Sequence, residues 1–346
     1  MPVAFNTKNI PAAQEMLKST ALSLKEIDIV HSQRATIQSI LQGKDPRKLC
    51  IVGPCSIHMS ESGLEYAQKL SELAKTLKDS LYIVFRGYLE KPRTLDGWRG
   101  FLFDPDLDGS YNISKGIELS RRFLKEIIGM NLPVAYEFVE PMMKHYVQDL
   151  VSWGCIGART CQSPIHRQLA SSLAFPVGFK NTTSGDITAA VQAARVSLTP
   201  QHVFESDLSG QLIFKKSSGN PMPHIVLRGS KTGPNYHEES ILKAKSSLDG
   251  LKLDSAIIVD CSHDNCGYIP EKQLDVAVEI LKTMKKIPIV RGFMLESFLM
   301  NGRQDDYIDT ERHEEAKIRA SKVDPCISFE ETQEFLIYAA KELGKK

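Results

Sequence analysis

Eight short apolar runs rich in β-forming residues recur along the chain, and each is followed by a stretch with helical periodicity. The runs cover residues 49–52, 81–85, 134–138, 155–158, 175–179, 224–227, 256–259 and 287–290. Strands that alternate with helices pair in parallel, and eight such units predict a closed (β/α)8 TIM barrel. The alternative is an open doubly wound sheet, but no G-x-G-x-x-G motif follows any run. We therefore expect an α/β chain with one barrel domain over residues 1–346.

Two regions exceed the minimum barrel. Residues 1–47 have a mostly helical pattern, and Gly43 is a suitable end for a helix through Ile37, Ile40 and Leu41. Residues 203–219, VFESDLSGQLIFKKSSG, alternate on both sides of a Ser-Gly pair and predict a β-hairpin inserted before strand six. Either addition could serve oligomer contacts, regulation or plain stabilisation.

Charge and cysteine usage narrow the class of protein. The net charge of +1 provides no large field for nucleic acid or an anionic membrane surface. The apolar runs are far shorter than the roughly 20 residues that span a bilayer, and the N-terminus shows no signal-peptide pattern. Seven scattered cysteines fit a reducing compartment with free thiols. We expect a soluble cytoplasmic protein that binds neither nucleic acid nor membranes.

Cations follow four of the eight predicted strands. They are Arg86, Arg159, Lys180 and Arg228. The C-terminal strand ends of a TIM barrel meet on one face, where four like charges repel each other unless an anion lies among them. Guanidinium groups bind phosphate and carboxylate bidentately. A second cationic pair, Lys91 and Arg93, flanks Pro92 in a stiffened loop, so the sequence favours substrates with at least two strongly anionic groups.

Potential metal ligands also fall at predicted strand ends or shortly after them. They are Cys55, His263, Glu296 and Asp324. Each alone is compatible with a structural role, and no C-x-x-C or H-E-x-x-H spacing strengthens the prediction. Mixed sulfur, nitrogen and oxygen donors suit Mn, Fe, Co or Zn better than Mg or Ca.

Ordered motifs along the chain resemble those of the type I 3-deoxy-D-arabino-heptulosonate 7-phosphate (DAHP) synthases. The likeness runs from about residue 20 to residue 340. Its motifs include GPCSIH at 53–58, EKPRT at 90–94, YEF at 136–138, SWG-x-IGART at 152–160, PVGFKN at 176–181, HI-x-LRG at 224–229, VD-x-SH at 259–263 and M-x-ES at 294–297.

The resemblance implies a metal-dependent condensation of phosphoenolpyruvate with D-erythrose 4-phosphate, the first step of the shikimate pathway. It implies the same four metal ligands, with Cys55, His263 and Lys91 as catalytic residues. The residues implied to bind substrate are Arg86, Lys91, Arg93, Thr94, Ala158, Arg159, Lys180 and Arg228. Of these, Arg93 and Thr94 would hold the phosphate of erythrose 4-phosphate, and Lys91 would assist proton transfer or stabilise an oxyanion.

The resemblance also implies regulation and assembly. An aromatic amino acid would bind beside the hairpin, near Met142, Leu169, Leu173, Ala174, Phe204 and Ser206, although these positions could equally be ordinary core packing. The family further implies a homodimer or homotetramer.

The sequence departs from the family pattern at several positions near the motifs, and six of these could alter the choice of acceptor aldose. They are Met59, Arg99, Gln162, Pro164, Thr182 and Ser230. The four predicted metal ligands and the main cations are all retained, so the sequence favours the family reaction. One alternative is a paralogue that condenses phosphoenolpyruvate with a different phosphorylated aldose. Another is a non-catalytic binding or regulatory protein on the same barrel.

Overall fold

Eight parallel strands close into a barrel in the computed structural model, which describes residue 7 and residues 9–344. The barrel strands are β1 (Lys48–Gly53), β2 (Leu81–Arg86), β3 (Val134–Glu137), β4 (Trp153–Ile156), β5 (Val177–Lys180), β8 (Pro223–Leu227), β9 (Ile257–Asp260) and β10 (Val290–Glu296). They neighbour one another in the order β1, β10, β9, β8, β5, β4, β3, β2. This closed, helix-connected arrangement confirms the TIM barrel.

Helices surround the barrel and precede it. They are α1 (Ala13–Ser19), α2 (Leu24–Leu41), α3 (Ser60–Leu77), α4 (Ile113–Gly129), α5 (Lys144–Val147), α6 (Pro164–Ser171), α7 (Ile187–Ser197), α8 (Glu238–Gly250), α9 (Lys272–Lys286), α10 (His313–Arg319) and α11 (Phe329–Gly344). Short 3-10 helices cover Pro141–Met143, His263–Asn265 and Gln304–Tyr307. In α3, Tyr66, Leu70, Leu73 and Leu77 recur at helical spacing and are buried against the strands.

The barrel interior is filled by side chains, so the site is confined to its mouth. Ile51, Val84, Trp153 and Met294 belong to one buried cluster, and the Trp153 indole donates a 2.9 Å hydrogen bond to His224 Nε2. A larger cluster lies between the strands and the surrounding helices. Bulky interior side chains leave no room for a ligand at mid-barrel.

The predicted strand count is correct, but three predicted runs are displaced. The eighth strand was expected over 287–290, whereas β10 begins at Val290 and continues to Glu296. Residue 287 caps α9, Pro288 has no backbone N–H, and the strand then passes Arg291 through an irregular register, which hides it from an apolar pattern. β4 begins two residues before the predicted start, and β5 begins two residues after it.

Both predicted additions to the barrel are present. The helical extension contains α1 and α2, and Gly43 follows α2 at φ +73°, which favours glycine. Residues 1–6 and residue 8 of the extension lie outside the described part. The hairpin consists of β6 (His202–Ser206) and β7 (Leu212–Lys216), which pair antiparallel around Ser209 and Gly210. That the chain forms a single catalytic domain stays a prediction. Within the described residues, no helix has the length and apolar composition needed to span a membrane.

Candidate active site

A cavity of about 280 Å³ opens at the C-terminal ends of the strands. All eight residues predicted to bind substrate line it: Arg86, Lys91, Arg93, Thr94, Ala158, Arg159, Lys180 and Arg228. β2 and β5 end on Arg86 and Lys180, and Arg228 directly follows β8. The fold therefore brings these distant residues together, while their roles toward a substrate stay predictions.

Three of the four predicted metal ligands form one group beside this cavity. Candidate ligand atoms of Cys55, Glu296 and Asp324 lie within 4.8 Å of one another. The Cys55 thiol donates to Asp324 Oδ2 at 3.2 Å, and Lys91 Nζ lies 2.7 Å from Cys55 Sγ and 3.0 Å from Asp324 Oδ2. Burial raises the pKa of the Cys55 thiol, and the carboxylates of Asp324 and Glu296 raise it further. A cation held among these donors would favour the thiolate.

His263, the fourth predicted ligand, lies at the edge of this group. Its Nε2 is 3.5 Å from Glu296 Oε1. Its Nδ1 is 2.7 Å from Ser262 Oγ and 3.1 Å from Asp260 Oδ2. A carboxylate on one ring nitrogen commonly orients the other toward a metal. The structure thus turns Nε2 toward the donors without placing His263 inside the three-residue group.

The donor set fits a divalent transition metal. It combines one sulfur, one imidazole nitrogen and two carboxylates, and such mixed donors select transition metals over Mg or Ca. Glu296 Oε1 is buried and has no aligned hydrogen-bond donor, although Arg86 Nη2 lies 2.7 Å away. The ammonium group of Lys91 places a positive charge beside Cys55 and Asp324, which offsets part of the negative charge of the donor group. These features are compatible with a metal and do not identify it.

The buried cations of the mouth each contact a carboxylate of the protein. Arg86 pairs with Glu296, and both side chains are 1% exposed. Lys180 Nζ lies 3.1 Å from Asp260 Oδ2 and 3.9 Å from Glu137 Oε1. Burial opposes the charge on Lys180, but these two carboxylates outweigh that effect and raise its pKa. The deep cations are therefore held charged by acids of other barrel strands, each separated from its cation by one intervening strand.

The cations at the rim of the cavity, unlike the buried ones, have no acidic partner among the described residues. Arg93 and Arg159 are exposed, and within the described residues neither forms an ion pair. Arg159 Nε donates to Thr94 Oγ1 at 2.7 Å, which joins the end of β4 to the loop after β2. Gly100 closes that loop at φ +106°, where an added Cβ would lie 2.3 Å from the Leu89 carbonyl oxygen. The rim cations are thus positioned but not neutralised.

Sequence reasoning missed several residues of the mouth. Glu137, Asp260 and Asp264 contact its cations, and Tyr268 lines the cavity. Glu137 and Asp260 lie at or beside the ends of predicted strands, so the sequence does place them at the mouth, but it assigns them no role as partners of the cations. No sequence pattern indicates Tyr268.

The six residues expected near an effector lie on elements that adjoin one another. α6 packs against both β6 and the 3-10 helix Pro141–Met143. Leu169, Leu173 and Ser206 are buried, whereas Met142, Ala174 and Phe204 are exposed. Lys144 contacts Glu205 of β6, which ties the hairpin to the barrel. An effector role for these residues stays a prediction.

The six departures from the family pattern lie outside the cavity lining. Thr182 accepts a 2.9 Å hydrogen bond from the Asp186 N–H ahead of α7, and Ser230 forms a turn with Gly233. The Arg99 guanidinium stacks 4.3 Å from the Phe103 ring centroid. These substitutions therefore alter surrounding loops rather than the walls of the cavity.

Comparisons with known proteins identify the family. The model of the DAHP synthetase I family matches residues 16–336. A Trp-sensitive phospho-2-dehydro-3-deoxyheptonate aldolase of Enterobacter agglomerans is 41% identical over 320 residues, covering 92% of this chain and 90% of the relative. A Tyr-sensitive aldolase of Escherichia coli is 39% identical over 336 residues, covering 96% and 93%.

A solved structure agrees as well. The phospho-2-dehydro-3-deoxyheptonate aldolase of Francisella tularensis superposes with a TM-score of 0.94 at 36% identity and covers 98% of each chain. Matches of this extent in both sequence and structure show the family and not the fold alone. The chain therefore belongs to the DAHP synthetase I family of enzymes, transferases that form a carbon–carbon bond by aldol-type chemistry.

Proposed function

We propose that this enzyme condenses phosphoenolpyruvate with D-erythrose 4-phosphate to give DAHP and phosphate, the first step of the shikimate pathway. One observation supports this most directly: Cys55, Glu296 and Asp324 lie together beside a ring of cations at the mouth of the barrel, in a chain of the DAHP synthetase I family. Both substrates are anions, and the mouth offers two sets of cations, one buried and one exposed at the rim.

The cations of the mouth are divided between the two substrates. Arg86, Lys180 and Arg228, together with Arg159, would hold the phosphate and carboxylate of phosphoenolpyruvate, since guanidinium forks bind both groups. Arg93 and Thr94 at the rim would hold the phosphate of the aldose. Fixing two mutually repelling anions within reach of each other lowers the entropic barrier to their reaction.

Cys55, His263, Glu296 and Asp324 would hold a divalent metal, with Mn, Fe or Co expected and Zn possible. When bound, such a metal acts as a Lewis acid that polarises the aldehyde carbonyl. The protein's own part is to present the four donors at the mouth of the barrel, beside the anion-binding residues. Asp260 would keep His263 Nε2 turned toward the other donors.

Lys91 is the residue best placed to supply a proton. Burial opposes its charge, but Cys55 and Asp324 outweigh that effect and raise the pKa of Lys91, so Nζ carries a proton. As the methylene carbon of phosphoenolpyruvate bonds to the aldehyde carbon, the aldehyde oxygen gains a proton and becomes a hydroxyl. Water then adds at the second carbon, and phosphate departs with its bridging oxygen.

The test is a turnover assay on metal-loaded protein, with phosphoenolpyruvate and a panel of aldose phosphates. Phosphate release and product mass are followed for the natural chain, Lys91→Met and the control Lys245→Met, an exposed lysine of α8. We expect DAHP from the natural chain and the control, and a loss of at least about a hundredfold in Lys91→Met. Product from another aldose phosphate alone would assign the chain to a paralogous reaction. No product at all would favour the non-catalytic alternative.

An aromatic amino acid is the effector we propose. Relatives at 37–41% identity are named Trp-sensitive or Tyr-sensitive, and the residues expected around an effector lie on adjoining elements here. A thermal-shift screen with Phe, Tyr and Trp, followed by inhibition assays, tests this. Absence of both stabilisation and inhibition by all three would contradict it.

The family likeness also leads us to propose a homodimer or homotetramer, and light scattering of the purified protein tests this.

A further inference from the structure

The cavity contains a cation, Arg228, whose acidic partner comes from the segment after β9 and not from a strand. Arg228 Nη1 contacts Asp264 Oδ2, and Arg228 Nη2 donates to the Tyr268 hydroxyl at 3.2 Å. The Arg228 side chain is 5% exposed and that of Asp264 is 16% exposed. Arg228 and Tyr268 both line the cavity. We call this pair of contacts the Asp264–Tyr268 clasp.

The backbone holds the clasp in place. Asn265 donates to the carbonyl oxygens of Leu227 and Asp260 at 3.2 and 2.8 Å, which fixes the loop after β9 to the end of β8. A Cβ on Gly229 would lie 2.6 Å from the Asp264 carbonyl carbon, so the two backbones approach too closely for a side chain there. Tyr268 has φ +60°, a conformation that non-glycine residues seldom adopt. The backbone that carries Asp264 is therefore held against the end of β8.

The clasp changes what Arg228 offers to an incoming anion. A carboxylate already satisfies one nitrogen, the Tyr268 hydroxyl occupies a second, and the negative charge of Asp264 repels a second anion at the same guanidinium. Glu296 and Asp324, which pair with Arg86 and Lys91, are themselves predicted metal donors, and Asp260 contacts His263 as well as Lys180. Asp264, in contrast, contacts only Arg228 among the described cations of the cavity.

We infer that the Asp264–Tyr268 clasp competes with the anionic substrate for Arg228 and thereby sets how weakly that substrate binds. The inference rests on the proposed function only in naming phosphoenolpyruvate as the anion. In this scheme Asp264 lowers the affinity of Arg228 for the anion. Removing its charge should tighten anion binding, whereas a residue that merely oriented Arg228 would weaken binding when neutralised.

The test is calorimetric binding of inorganic phosphate and of phosphoenolpyruvate to metal-loaded protein without aldose, so that no turnover occurs. It compares the natural chain with Asp264→Asn and Tyr268→Phe. The control for the loss of one negative charge is Asp28→Asn, which changes an exposed residue of α2. We expect Asp264→Asn to bind both anions about tenfold tighter, Tyr268→Phe a few-fold tighter, and the control unchanged. In turnover, KM for phosphoenolpyruvate should fall in Asp264→Asn by more than kcat changes.

Unchanged or weaker phosphate binding in Asp264→Asn overturns the competition. If that variant does not fold, equal phosphate affinity in Tyr268→Phe and the natural chain overturns it instead. Tighter phosphate binding with no phosphoenolpyruvate binding in any variant would uphold the clasp and refute the proposed substrate.

Discussion

Glu90, in the loop that carries Lys91, provides a prediction about stability whose size follows from the structure. Its carboxyl group is fully buried and accepts hydrogen bonds from the Tyr136 hydroxyl at 2.7 Å and the Glu140 N–H at 2.8 Å. Burial raises the pKa of Glu90 from 4.5 to about 8, although these donors favour the ionised form. The folded protein therefore keeps a proton that the unfolded chain releases.

The sign follows from linkage. Where the folded protein binds more protons than the unfolded chain, the free energy of unfolding falls as pH rises. For Glu90 this contribution is fully present below the unfolded pKa of 4.5 and is lost as pH rises through about 8. At about 1.4 kcal/mol per pKa unit, the loss between about pH 5 and about pH 8 amounts to roughly 3 kcal/mol.

Urea denaturation followed by circular dichroism measures this for the natural chain, Glu90→Gln and the control Glu126→Gln, an exposed residue of α4. The amide does not titrate, so any packing cost in Glu90→Gln is the same at every pH. We expect the stability of the natural chain and the control to fall relative to Glu90→Gln by roughly 3 kcal/mol from about pH 5 to about pH 8. A stability difference that stays constant with pH would refute the reasoning.

Two further substitutions test the metal site and the stability of the fold. Cys55→Ala should abolish metal-dependent turnover and weaken metal binding at least about tenfold with the circular dichroism spectrum unchanged, because one of four donors is lost. Cys50→Ala, a buried cysteine within β1, serves as the control. Full activity of metal-treated Cys55→Ala would contradict the assignment. Arg121→Leu should lower the free energy of unfolding by about 3 kcal/mol, since its buried guanidinium donates to both carboxylate oxygens of Asp149 at 2.8 and 2.9 Å. A change in the urea midpoint too small to correspond to 1 kcal/mol would show that this pair contributes little.

The sequence predicts the barrel well because its signals are local. A strand, a helix and a tight turn each depend on neighbouring residues, so the strand count and the hairpin could be recognised without a structure. The failure at β10 has a local cause too, since Arg291 and Gly292 interrupt the apolar run that would have marked it.

The partners of the site cations could not be predicted in the same way. Arg86 and Glu296 are far apart in sequence and meet only because β1 closes the barrel between β2 and β10. Tyr268 reaches Arg228 through a left-handed backbone conformation that no pattern of residue types specifies. Which strand ends carry polar residues is visible in the sequence, but their pairing is a property of the closed barrel.

This pairing changes the argument about why cations can share a narrow mouth. The sequence predicts that four converging cations require a bound anion, because like charges repel. In the structure, Glu296 lies against Arg86 and Asp260 against Lys180, so the protein's own carboxylates supply the negative charge. The mouth can therefore fold before any substrate arrives. A substrate anion that binds here contacts deep cations that already pair with protein carboxylates. Its affinity is therefore the difference between the substrate–cation interactions that form and the carboxylate–cation interactions that weaken, and is smaller than the substrate contacts alone would give.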